Sequence, residues 1–68
     1  MKISARNKIK GSIREIQTGS VMAKISIETS DGTMITSVIT IDSVHDLELK
    51  IGDEVFAIIK STEIMIGK

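Results

Sequence analysis

Three short stretches of the chain carry side chains suited to one kind of chemistry. Near the start, Ser4, Ala5 and Arg6 place a hydroxyl, a backbone unit and a guanidinium just ahead of an alternating run. Toward the other end, a strongly apolar run closes in Lys60, followed by the hydroxyls of Ser61 and Thr62. Between them, Thr40 and Ser43 flank Asp42 where a strand pattern gives way to a helix start, a place where unpaired amides favour negative charge. Ammonium, guanidinium, hydroxyl and amide groups are what a small oxyanion requires: donors, two of them positively charged, and no competing acceptors. Singly, each stretch could be a solubilising strand end. As a set they point to an anion-binding site.

Catalysis is harder to assemble. His45 and Asp46 are neighbours, but adjacent residues on a helix do not face each other, so they are not a dyad and His45 reads as a solvated helix residue. The acidic residues are scattered singly, without the spacing of a metal site or an acid and base couple. No enzyme is expected, and no side chain is expected to ligate a metal directly.

The elements that must position these donors are mainly strands. With no proline in the chain, glycines mark the turns. Ile9, Gly11 and Ile13 alternate with Lys8, Lys10, Ser12 and Arg14, predicting a first strand from Asn7 to Ile16 whose other face is basic and solvated. Ile16 falls out of phase, which predicts a bulge near Arg14 and Glu15. Val21, Ala23, Ile25 and Ile27 define a second, amphipathic strand, and Asp31-Gly32 predicts a hairpin turn in which both central residues take positive φ. Met34 to Thr40 is a third strand, apolar on both faces. Ile41 to Leu49 is predicted as the one short helix, with Ser43 as N-cap, Asp46 in capping-box spacing and Val44 and Leu47 inward. Glu54 to Lys60 is a fourth strand, again apolar on both faces with Phe56 in the core, and Ile64 and Ile66 form a short fifth. Three strands, a helix and two strands is the order of an OB-like small barrel of five strands, with the helix between strands 3 and 4.

A single domain of 68 residues has a marginal core, and with no cysteine and one histidine neither a disulfide nor an ordinary zinc site can reinforce it. Oligomerisation is the remaining remedy, and the two-faced apolar strands supply the surface for it. Nine basic and nine acidic residues cancel, which argues against a polyanionic partner such as DNA or an anionic membrane. No apolar run approaches the roughly 18 residues of a membrane span, and no signal-peptide core is evident at the N-terminus, so a cytoplasmic location is expected. The alternative function for such a barrel is single-stranded nucleic-acid binding, which relies on aromatic stacking in a basic groove; one aromatic residue in the whole chain speaks against it.

The stretches SARN at 4–7, VITIDSV at 38–44, LKIGDEV at 49–55 and IIKST at 58–62 resemble those of the molbindins, the Mop-type molybdate-binding proteins, and the resemblance covers residues 1–68 as one Mop domain. It implies an OB-like barrel assembled as a homo-hexamer, a trimer of dimers, that holds molybdate or tungstate at subunit interfaces without catalysis. The same domain occurs in molybdate-responsive repressors and transporter ATPases; with neither module attached, a free-standing domain is expected to serve intracellular molybdenum storage and homeostasis. Matched by motif, Ser4, Ala5, Arg6, Lys60 and Ser61 supply hydroxyl, backbone, guanidinium and ammonium donors, and Thr40 and Ser43 supply hydroxyls. In the family these donors come from more than one subunit, so a neighbouring chain and the anion would order the N-terminal stretch.

Overall fold

The computed structural model describes residues 1–68. Its elements are β1 (Asn7–Thr18), β2 (Met22–Thr29), β3 (Met34–Thr40), α1 (Ile41–Asp46), β4 (Glu54–Ile59) and a single 3-10 turn, Ser61–Glu63. The four strands form one antiparallel sheet in the order β3-β2-β1-β4. No helix is long and apolar enough to cross a membrane.

The long strand β1 organises the sheet, because its first half pairs with β4 and its second half with β2. Gly11 and Ser12 belong to both pairings, with Gly11 opposite Thr29 on one side and Val55 on the other. The register with β2 shifts between Ile13 and Glu15, which is the bulge that the phase slip at Ile16 predicts. Arg14 is the extra residue, and Ile16 returns opposite Ile25 to pack against the core. A β-carbon on Gly11 would lie 2.5 Å from Ile27 Cγ2 and 2.8 Å from the Glu28 carbonyl oxygen, so only glycine fits where the strands approach most closely.

Ile13, Ala23, Ile25, Ile27 and Val44 form the buried core, flanked by half-buried Ile16, Ile35, Ile39, Ile41, Leu49, Val55 and Ala57. Six of 68 residues are buried, the sixth being Gly11, so the protomer covers its apolar surface incompletely. Gly11, Ile13, Ala23, Ile25 and Ile27 face inward as predicted, whereas Ile9 is exposed and Val21, also exposed, lies before β2. The β2–β3 hairpin also forms at Asp31-Gly32, but Gly32 alone takes positive φ (+88°) and Asp31 does not. Asp31 instead accepts from the Thr29 hydroxyl and the Thr33 amide, and these bonds, the Thr29 hydroxyl first, hold its carboxyl below the usual carboxylate range.

Five expectations are corrected. The helix ends at Asp46 rather than Leu49, and its N-cap is Thr40, whose hydroxyl oxygen accepts the Ser43 amide at 3.0 Å; Ser43 is already inside the helix. It closes through Glu48, at φ 52°, with the Glu48 amide bonded to the His45 carbonyl and the Leu49 amide to the Val44 carbonyl. This is a Schellman closure, which takes Leu49 to the core and leaves Leu47 66% exposed. There is no fifth strand: the sheet has four, and Ile64, Met65 and Ile66 follow the 3-10 turn without a strand partner, Met65 and Ile66 being more than 90% exposed. Three alternating residues offer too few ladder bonds to offset the entropy of ordering them. Phe56 is 52% exposed rather than core, because it lies opposite Lys10 while Val55 and Ala57 pack on the core.

Candidate anion-binding site

The pairing of β1 with β4 builds the site. Because Asn7 lies opposite Ile59, the residues that lead into β1 and those that leave β4 emerge side by side, although more than fifty positions separate them in sequence. Between them lies an open groove of about 390 Å³. Ser4, Ala5, Arg6, Lys60 and Ser61 all line it, together with Thr62 of the same donor stretch and with Ile3 and Ile58, which the donor argument had not placed in the site. Residue type and spacing gave no signal for the two isoleucines. Thr62 was legible as a second hydroxyl after Lys60.

Thr40 and Ser43 are elsewhere in the protomer. Thr40 pairs with Met22 on β3, the sheet edge opposite β4, and neither residue lines the groove. Their hydroxyl oxygens are 2.9 Å apart at the start of α1. One protomer thus gathers five of the seven predicted donors and holds the other two at its far side.

The electrostatics separate Arg6 and Lys60 from Lys10 and Arg14 of β1; Lys8 of that strand is also unpaired but does not line this groove. Lys10 is paired with Glu54 at 2.5 Å, and Arg14 with Glu28 at 2.7 Å. A larger groove of about 570 Å³ around Gly11 is lined by both pairs, so its charges are already neutralised. Arg6 and Lys60 belong to no ion pair, and no carboxylate lines their groove. Two unneutralised cations beside three hydroxyls can take up a compact dianion and satisfy its oxygens with donors alone.

The segment order comes partly from Asn7. Its Nδ2 donates to the Ile59 carbonyl at 3.3 Å and to Ser61 Oγ at 3.4 Å, tying the end of SARN to the residues after β4. The 3-10 turn that follows has Lys60 as its N-cap residue and closes with the Glu63 amide on the Lys60 carbonyl at 2.9 Å.

Comparison with known proteins places the chain. Residues 3–66 match the TOBE domain. Molybdenum-pterin-binding protein 3 of Clostridium pasteurianum is 46% identical over 66 residues, which are 97% of this chain and 97% of that protein. The chain belongs to the Mop-type TOBE-domain family. Among solved structures, this TOBE domain is similar to a molybdate-binding protein from Sporomusa ovata, at 50% identity and a TM-score of 0.94 over the full length of both chains. It is also similar to an apo form of MopII from Clostridium pasteurianum, at 43% identity and a TM-score of 0.93, covering 98% of this chain and all of that one. The Mop-type fold is accordingly a small, mainly β unit with one short helix, here with a four-stranded sheet.

Proposed function

We propose that this Mop-type TOBE domain binds molybdate or tungstate at the interfaces of a homo-hexamer and serves as a cytoplasmic store of the anion. The observation that carries the reading is the pair of cations, Arg6 and Lys60, left without counter-charge in one groove with the Ser4, Ser61 and Thr62 hydroxyls. Relatives whose names state molybdenum-pterin or molybdate binding support it.

In this reading Ser4, Ala5, Arg6, Lys60 and Ser61 of one protomer meet Thr40 and Ser43 of another around a tetrahedral dianion. The charges of Arg6 and Lys60 balance the anion, and the neutral donors saturate its oxygens without adding charge. In this reading nothing is turned over, and the chemistry is recognition. Assembly has its own support in the uncovered apolar surface of β3, β4 and the C-terminal residues, including Val38, Phe56, Ile58 and Met65.

The competing reading, an OB-type module for single-stranded nucleic acid, draws on Phe56, which is exposed beside Lys10. One aromatic next to an ion-paired lysine makes a poor stacking platform. Equilibrium dialysis against labelled molybdate, and separately against a short oligonucleotide, distinguishes the two. Molybdate retained by a species that native mass spectrometry weighs as six chains supports the proposal. Retention of the oligonucleotide alone overturns it.

A further inference from the structure

Beside the groove, bonded to one of its hydroxyls without lining it, stands the Asn7 side chain. Asn7 Nδ2 meets both the Ile59 carbonyl oxygen, at 3.3 Å, and Ser61 Oγ, at 3.4 Å. A backbone carbonyl can only accept, so it fixes which end of the Asn7 amide faces this way: the NH2 end. The second proton of the same nitrogen then points at Ser61, whose oxygen must act as an acceptor in that bond. A hydroxyl has one proton and two lone pairs; Asn7 occupies one lone pair, which biases the proton of Ser61 toward the groove.

We propose that Asn7 is a positioning residue that sets the polarity of Ser61, making its hydroxyl a donor toward a fully deprotonated oxyanion; this rests on the anion-binding reading above. No carboxylate lines the groove to accept a proton from a ligand. With Ser61 held as a donor, an anion that carries a proton, such as hydrogen phosphate, finds a donor facing its own O–H, whereas a tetrahedral dianion without protons meets donors only. Asn7 therefore contributes to selection by protonation state, which the charges of Arg6 and Lys60 alone do not provide.

The test is a double-mutant cycle on molybdate affinity in the full chain, using N7A, S61A and the double variant, with the thermal midpoint of each recorded alongside. N7A is expected to weaken molybdate binding about 3- to 10-fold, the range of one neutral hydrogen bond, and to have no further effect in the S61A background. A near-isosteric variant, N7D, serves if N7A does not fold: its carboxylate accepts a hydrogen bond from the Ser61 hydroxyl and turns that donor away from the groove, so N7D is expected to weaken molybdate more than the S61A change does and to narrow the preference for molybdate over hydrogen phosphate. Equal losses from N7A in both backgrounds would assign Asn7 to strand pairing and overturn the inference, as would an N7D variant with unchanged selectivity. Absence of molybdate binding by the unmodified protein is a separate result, which overturns the anion reading together with this one.

Discussion

Gly11→Ala probes the point at which the whole sheet depends on one strand. A β-carbon at this position lies 2.5 Å from Ile27 Cγ2, 2.8 Å from the Glu28 carbonyl oxygen and 3.2 Å from its carbon. The first neighbour is a core side chain and the others are backbone of β2, so neither can swing into solvent to relieve the clash. Gly11 pairs with Thr29 and Val55 at once, which means that backing β1 away from β2 strains its pairing with β4. Overpacking of this kind costs about 1–3 kcal/mol. Alanine recovers about 0.4–1 kcal/mol by restricting the unfolded chain. Taken at the middle of each range the net loss is about 1.3 kcal/mol, and at about 4–8 °C per kcal/mol for a domain of this size the thermal midpoint should fall by roughly 5–10 °C. Circular dichroism melts at matched chain concentration make the measurement, since association itself raises the midpoint. A Gly11→Ala protein that melts with or above the unmodified chain would refute the close approach of β1 and β2 on which the fold description rests.

Other expectations follow from the same geometry. Arg6→Ala or Lys60→Ala should weaken molybdate binding by about 2 kcal/mol, roughly 30-fold, by leaving a dianion short of a charged donor, while Lys10→Ala, whose partner is Glu54, should change it little; isothermal titration calorimetry on the three variants checks this. Glu48→Gly should stabilise the protein by about 0.5–1 kcal/mol in urea titration, because φ 52° is costly for any residue with a β-carbon, and an unchanged or lower midpoint would contradict the helix closure described. Asp31→Asn should cost stability at neutral pH that vanishes in acid. The Asp31 carboxyl titrates lower in the folded chain than its ordinary value of 3.8, so its contribution is present above that value and is lost as pH falls through the lower, folded one. A difference between the two proteins that persists unchanged below that range would assign the effect to something other than the Asp31 charge.

What could be read from the sequence divides along physical lines. The bulge at Arg14 was legible because a strand has period 2 and Ile16 breaks it. The inward faces of β1 and β2 were legible for the same reason. At the helix, Thr40 and Ser43 both offer cap chemistry, and the capping-box spacing of Ser43 with Asp46 favoured the wrong one; only the backbone at Thr40, extended at φ −74° and ψ 153°, identifies the true cap. The C-terminal end was hidden because Glu48 takes a conformation usually marked by glycine. Phe56 and Leu47 were misplaced since an apolar run records that a surface is covered somewhere, not whether its own chain or another covers it. Ile64 to Ile66 carries a strand pattern but no strand, because three alternating residues are too few to hold a ladder.

The site shows the same division. That Arg6, Lys60, Ser4 and Ser61 have donor chemistry was evident from residue type. That 4–6 and 60–62 share a groove depends on the pairing of Asn7 with Ile59, a contact between distant parts of the chain for which no local pattern exists. The family resemblance supplied that link before any geometry did. Asn7 itself was visible only as the last letter of SARN, and its two hydrogen bonds give it a reason to be there.

The most direct measurement is the anomalous scattering of molybdenum in crystals grown with molybdate. The account places a peak within hydrogen-bonding reach of Ser4, Arg6, Lys60 and Ser61 of one chain, with Thr40 and Ser43 of a second chain closing the opposite side. Molybdenum found only in the groove lined by the Lys10–Glu54 and Arg14–Glu28 pairs, or at Arg6 and Lys60 with no second chain within contact distance, would contradict it.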